Sequence, residues 1–489
     1  MTKQPKATVI GSGVAGLASA CRLARAGYQV QVFEINPSHG GKLAEFQYEG
    51  FRFDKGPSLF TLPHILDELF QFCGENPRDY FTYRQLPLIT KYFFPDGEEI
   101  NAYANLEAFQ EELVVKLGEH PDNLKAFFKH IEEVYNYVSP IFLENPVREF
   151  YKYIQGSIWS FLKMSFKIDA FKTLAKSNEQ WFQHEKSKLI FNRFATYNGS
   201  NPYKAPATLN IIPHLEHNLG AYYVDGGMRA IADSLYRLAS KLGVDFQFNS
   251  RVESIEVVNG IANGVIVEGQ LFKTDQVVCN MDINLAYPKL LPKQKAPKLY
   301  LKQEKSSSAL VFYWSMNAQM KQLDVHNILF SNDYKGEFEY LQKGKISNDP
   351  TVYIYVSAKV APQDAPEGKE NWFVMINVPH DSGQDWVQLV AKAKQDIKNK
   401  LNKMLSIKLD DFIEHEEVLD PQLIERDTSS IGGALYGNSS NNIFAAFLRH
   451  PHQNKQIKQV SFVGGSVHPG GGIPLCLLSA KIACNRISF

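Results

Sequence analysis

The spacing of hydrophobic and polar residues changes character early in this chain. Residues 7–10, ATVI, are a short apolar run with β-branched members, the pattern of a buried strand. Glycine-rich Gly11-Ser-Gly13-Val-Ala-Gly16 follows, then a stretch of helix formers with apolar residues at Leu17, Ala20, Leu23 and Ala24. Gly27 stops that helix, and residues 28–34, YQVQVFE, read as a second strand. The order strand, glycine turn, helix, strand is that of a βαβ unit opening an α/β domain.

Further on, residues 59–220 read as mainly helical and are dense in aromatics. Within them 151–176 mixes Trp159, Phe161, Phe166 and Phe171 with Lys152, Lys163, Lys167, Lys172 and Lys176. A basic, aromatic helix can lie in a membrane interface with its lysines toward lipid phosphates. Lys163 and Lys167 share a helical face while Lys172 falls nearly opposite, so a cap helix over a substrate cavity explains the segment equally well. Tyr223-Val-Asp-Gly226-Gly227-Met228 turns into another helix, and 244–248 and 251–258 read as strands. Residues 264–267 and 271–280 predict a hairpin and a returning strand. Ser308–Met316, 351–356 and 372–378 predict a separate antiparallel sheet, with 407–416 as a further strand and 385–405 as a lysine-rich helix with a solvated face. No internal repeat is visible. The expected fold is therefore α/β: a Rossmann-like domain assembled from discontinuous segments, an α+β substrate domain with an antiparallel sheet, and a helical cap able to meet a membrane. The expected division is 1–75, 221–290 and 441–489 for the nucleotide domain, 76–220 for the cap and 291–440 for the substrate sheet.

Composition narrows the partners. Lys plus Arg and Asp plus Glu each number 52, so nothing calls for a nucleic acid. The start, MTKQPKATVIGSG, has no apolar core of a secretory signal, and no stretch is long and apolar enough to span a bilayer. The expected location is cytoplasmic, with peripheral contact at the membrane face. The five cysteines have no CxxC spacing and are odd in number, which fits thiols in a reducing compartment. His214/His217 and His450/His452 have no further His or Cys close by in sequence, so no metal is expected.

The glycines carry the chemistry. Gly11 permits a tight turn, Gly13 lets backbone approach a pyrophosphate, and Gly16 lets helix and strand pack closely. The helix N-terminus then offers free N–H groups to the phosphates. Glu34, at the end of the second strand, is placed to accept hydrogen bonds from an adenosine ribose. NAD and FAD both use this unit. Next come Gly40-Gly41-Lys42 and Phe53-Asp54-Lys55-Gly56-Pro57-Ser58, and near the end Gly464-Gly-Ser-Val-His-Pro-Gly-Gly-Gly-Ile-Pro474, in which five of the nine residues 464–472 are glycine.

These motifs resemble the flavin amine-oxidase and phytoene-desaturase superfamily, and the likeness spans nearly the whole chain. It implies FAD, with Gly11, Ser12, Gly13, Val14, Ala15, Gly16, Glu34 and Ile35 along the adenosine and pyrophosphate. It further implies Gly41, Lys42 and Leu43 along the phosphates and ribityl chain, and Gly56, Pro57 and Ser58 beside the isoalloxazine. Lys42 stands where arginine is commoner, which loses a bidentate contact. Val252 is implied as a backbone contact to adenine, and Met281 also matches. In the tail, Gly465 and Ser466 would meet the pyrophosphate and ribityl region. Gly471, Gly472 and Ile473 would pass under the ring, with Pro474 in the first turn of the last helix.

The tail is most similar to that of carotenoid desaturases, and FDKGPSLFTLP to those acting at the 3,4 bond of hydroxylated or monocyclic carotenoids. That likeness implies a long apolar carotenoid substrate, hydride transfer to flavin, and oxygen or a quinone as final electron acceptor. Phytoene or diapophytoene desaturase, carotenoid isomerase and retinoid saturase share the scaffold, as does a non-catalytic isoprenoid-lipid carrier. No His/Asp/Ser constellation stands out. His468, next to the glycine tail, is a candidate for proton transfer, and Glu144 beside Arg148 for cation stabilisation.

Overall fold

The structure is a computed structural model, and it describes residues 4–143, 145, 168–169, 171–442, 445, 448–454 and 456–487. The strand Lys6–Ile10 lies at the centre of a five-stranded parallel sheet. Gln29–Phe33 and then Asp245–Gln247 lie on one side of it, Gln276–Cys279 and then Val460–Phe462 on the other. Ile10 pairs with both Phe33 and Cys279, so the strand order reverses direction at the first strand. The C-terminal edge at such a reversal leaves a crevice where open α/β sheets bind ligands.

Alternation along each strand divides the side chains between two cores. On one face Ala7, Val9, Val30 and Val32 pack with the helices Val14–Arg25, Arg229–Lys241 and Ile473–Cys484. On the other, Ile10, Phe33, Val277 and Cys279 meet a three-stranded antiparallel sheet of Val252–Val258, Ile261–Val267 and Gln270–Lys273. The returning strand expected over 271–280 is therefore two strands in two sheets. The chain changes sheet at Thr274–Asp275, where the Thr274 hydroxyl and the Asp275 N–H both donate to the Lys6 carbonyl at 3.0 Å.

A second, seven-stranded sheet runs in the order Ile413–Leu419, Ser308–Met316, Glu370–Val378, Val352–Tyr355, His326–Leu329, Leu88–Phe93, Glu99–Tyr103. All its pairings are antiparallel except that of His326–Leu329 with Leu88–Phe93. The antiparallel sheet expected from the later segments is present, but it also recruits two strands from the region read as helical. Leu310, Phe312 and Trp314 pack under the helix Trp386–Leu405. The alternate residues Ala309, Val311 and Tyr313, with Tyr355 and Phe373, face Phe51 and Phe53 of the first domain.

The helical part has a phenylalanine core: Phe109, Phe127, Phe128, Phe191 and Phe194 gather from Leu106–Leu117, Pro121–Val138, Glu185–Asn192 and the turn after it. The basic aromatic segment expected over 151–176 falls outside the described residues as far as 167, as do Glu144 and Arg148. Among the described residues no helix is long and apolar enough to cross a membrane.

Candidate active site

The glycine turn after the first strand is built as its spacing requires. Gly11 has φ +90°, and a Cβ on Gly16 would overlap the Gly11 carbonyl oxygen, so neither position takes a side chain without moving backbone. The helix Val14–Arg25 begins with no side-chain cap and no acid in its first turn. Its free N–H groups and dipole face the crevice, which is what an anion needs. Glu34 is buried at the end of the second strand. Its Oε2 accepts from the Ser12 N–H at 2.7 Å and the Ser12 hydroxyl at 2.8 Å, and its Oε1 from the Asn36 N–H at 2.9 Å. Ser12 thus holds the carboxylate, and one of its roughly four acceptor positions remains for a ribose. Beside it Ile35 is 51% exposed, and the Ser250 N–H donates to the Glu34 carbonyl, which brings the strand of Val252 alongside.

From this end a continuous ring of close backbone approaches can be traced. Gly13 bridges to Gly40, and the Gly40 N–H donates to the Ser12 carbonyl at 2.9 Å. A Cβ on Gly56 would overlap the Lys42 carbonyl oxygen, so the Gly56-Pro57-Ser58 turn is seated against Lys42, with Leu43 buried beneath. The Lys42 ammonium donates to the Leu435 carbonyl at 2.8 Å, and burial pushes its pKa down. On the far side Ser466 Oγ accepts from the Ile283 N–H at 3.0 Å, which ties the tail to the segment of Met281. The circuit closes at Asn280: its side chain is 2.7 Å from where a Gly464 Cβ would stand and 2.9 Å from that of Gly13. Asn280, which directly follows the parallel strand Gln276–Cys279, was not singled out from sequence.

The tail behaves differently at successive glycines. A Cβ on Gly471 would stand 2.8 Å from the Tyr436 ring, so protein packing by itself already keeps that position bare. Gly472 has φ +107° and nothing within 4 Å of its would-be Cβ. It caps the helix Ile473–Cys484, which carries Pro474 in its first turn and has neither a side-chain cap nor an acid there. Two uncapped helix N-termini, a half-buried lysine and an open glycine therefore border one crevice. This donor set fits a dinucleotide with a second, planar half.

Two further motifs turn out to be one structure. Asp54 Oδ1 accepts from the Met228 N–H at 3.0 Å, which joins FDKGPS to the YVDGGM turn. Arg52 binds Asp54 at 2.6 Å, Glu45 at 2.8 Å and Asp364 at 3.0 Å, and a Cβ on Gly227 would overlap its guanidinium. His468 is buried, and its Nε2–H donates to the Asn145 carbonyl at 2.9 Å. Burial pushes its pKa down to about 4, which keeps the imidazole neutral. His214 and His217 are buried against Tyr135 and Phe109, and among the described residues no three His, Cys, Asp or Glu side chains are grouped to hold a metal.

Comparison with known proteins agrees with this geometry. The profile of the family described as flavin containing amine oxidoreductase matches residues 14–488. A 1-hydroxycarotenoid 3,4-desaturase of Flavobacterium sp. (strain P99-3) is 48% identical over 484 residues, 99% of each chain. A 4,4'-diaponeurosporene oxygenase of Staphylococcus haemolyticus (strain JCSC1435) is 31% identical over 99% of this chain and 97% of its own. Among solved structures, putrescine oxidase bound to putrescine superposes with a TM-score of 0.65 at 14% identity, covering 99% of this chain and 98% of its own. An oxidoreductase from Methanosarcina mazei superposes at 0.63 and 14% identity, covering 98% and 100%. The chain therefore belongs to the flavin containing amine oxidoreductase family: it is an FAD-dependent oxidoreductase, and FAD is the cofactor its crevice is shaped to hold.

Proposed function

We propose that this enzyme desaturates a carotenoid, acting on the 3,4 bond of a hydroxylated or γ-carotene-type substrate. The observation that carries this is the wall beside the Gly56-Pro57-Ser58 turn, where Tyr313 and Tyr353 of the seven-stranded sheet reach Lys55 and Ser58 next to Phe373 and Tyr355. Burial pushes both tyrosine hydroxyls up, so the wall is neutral and mostly carbon, a fit for a long apolar molecule. The relative named as a 1-hydroxycarotenoid 3,4-desaturase supports the substrate class and the bond.

FAD, when bound, supplies the acceptor for a hydride equivalent, while the substrate's other hydrogen leaves as a proton and the carbons become doubly bonded. The chain's own part is to hold and to exclude. Glu34 and Ser12 fix the adenosine end, and Gly472 leaves room for the other half. The helix Ile473–Cys484 and Lys42 favour negative charge on the group between them. The aromatic wall keeps water away and orients the polyene. In this reading 1–75, 221–290 and 441–489 carry the cofactor, and 76–220 and 291–440 the substrate. The helical part meets a membrane surface, from which the substrate is drawn, and oxygen or a quinone takes the electrons.

The test is turnover by the FAD-loaded protein on a 1-hydroxycarotenoid in liposomes. The expected product is lighter by two hydrogens and absorbs further to the red. Unchanged product mass would indicate isomerisation, a gain of two hydrogens saturation, and added oxygen an oxygenase. Stoichiometric FAD without any product would leave a carrier.

A further inference from the structure

We infer that Ser58 and Tyr353, positioned by His326, form the site that reads the hydroxyl group on the substrate's end; the inference rests on the desaturation reading above. Three polar side chains stand in a row inside the aromatic wall. Ser58 Oγ lies 2.6 Å from the Tyr353 hydroxyl, and that hydroxyl lies 2.7 Å from His326 Nδ1. The row is set by strand pairing: His326 is opposite Tyr355 on neighbouring strands, and its ring stacks on Tyr355 and Tyr353 at 5.1 and 6.0 Å. Its far end is buried. Its near end, Ser58, is part of the turn seated on Lys42, at the rim of the cofactor crevice.

Hydrogen-bond accounting shows what the near end wants. Burial and the nearby Arg193 guanidinium hold the His326 pKa down to about 3, so the imidazole is neutral and Nδ1 either accepts or donates. If Nδ1 accepts the Tyr353 proton, Tyr353 accepts from Ser58, and Ser58 Oγ is left with lone pairs toward the crevice. If Nδ1 donates, Tyr353 donates to Ser58, and the Ser58 O–H is left to give. The row ends in an open acceptor or an open donor, and an alcohol, being both, satisfies either state. A hydrocarbon satisfies neither and leaves a desolvated polar group unpaired.

Position agrees with chemistry. In a 1-hydroxycarotenoid the oxygen is three single bonds from the nearer reacting carbon, a span of at most about 4 Å. A group that reads this oxygen must border the crevice where the bond is oxidised, as Ser58 does. The buried Arg193–Glu216–Tyr197 cluster acts on His326 through the charge of Arg193.

The test compares kcat/KM per bound FAD for a 1-hydroxycarotenoid and for the parent carotenoid without the hydroxyl, both in liposomes, for wild type, Ser58→Ala, Tyr353→Phe and His326→Leu. Wild type is expected to favour the alcohol by roughly 10- to 100-fold. Each variant is expected to cut that ratio at least about threefold, with Tyr353→Phe and Ser58→Ala the larger effects. Equal losses on both substrates would overturn the inference, since they would show that the row merely braces the turn. A wild type indifferent to the hydroxyl would overturn it while leaving the desaturase standing. A wild type that converts neither substrate would remove the reading on which it rests. Should Tyr353→Phe fold poorly, Ser58→Ala alone decides.

Discussion

At Gly16 a side chain would strike the Gly11 carbonyl, whereas at Gly472 it would meet no protein atom within 4 Å although φ is +107°. The two glycines are thus bare for different reasons, one because backbone fills the space and one because of its backbone conformation, which leaves open space beside it. Gly472→Val should fold with an apo thermal midpoint within about 3 °C of the parent, since forcing a side chain into its glycine-type conformation, φ +107° and ψ 152°, costs about 1–3 kcal/mol. Its flavin absorbance should be lost on desalting, and normal FAD occupancy would refute the placement of the ring. Gly16→Ala should instead lower the apo midpoint, because backbone must move before any cofactor arrives. Lys42→Met should raise the FAD Kd about tenfold, roughly the value of one charge-assisted bond, read by flavin fluorescence titration. Gly11 and Gly16 were legible in sequence because their demand is local. The packing of Tyr436 on Gly471 was not legible, since that ring comes from a distant segment, and Ser58–Tyr353–His326 was invisible for the same reason.

Between elements, the joint that matters is Asp54. It ends the strand Phe51–Asp54, pairs with Arg52, and accepts the Met228 N–H just before the helix Arg229–Lys241. One side chain therefore positions the Gly56-Pro57-Ser58 turn relative to a helix of the parallel-sheet domain. Asp54→Ala should cost about 3 kcal/mol, in the range for breaking one partner of a buried pair, and should reduce FAD retention as well as the melting midpoint. Loss of stability with full FAD content would show that the turn does not depend on this tie. Both motifs were read from the chain, but not their contact, because no local pattern encodes a partner so far away. The strands Leu88–Phe93 and Glu99–Tyr103 were missed for another reason. Their signal was present: Pro95-Asp96-Gly97 is a tight-turn sequence between two apolar runs, and the helical periodicity around it outweighed it.

On the scale of the whole molecule, the cofactor domain is continuous in space and interrupted in sequence. Its parallel sheet takes strands beginning at Lys6, Gln29, Asp245, Gln276 and Val460, and the crevice circuit passes through the 435–437 segment as well. Tyr313 and Tyr353 then bind the seven-stranded sheet to the 55–58 turn. The parallel sheet takes its strands from three distant stretches of chain, so neither sheet has an independent boundary at which to melt. Unfolding should therefore be a single calorimetric transition, and FAD should shift all of it. At 100 times Kd the linkage is about 2.7 kcal/mol. With an unfolding entropy near 1 kcal/mol per kelvin for a chain of this size, the midpoint should rise by about 3 °C. Two transitions, with FAD moving one and leaving the other in place, would show that the seven-stranded sheet folds on its own and that the tyrosine contacts are a docking surface between separable bodies.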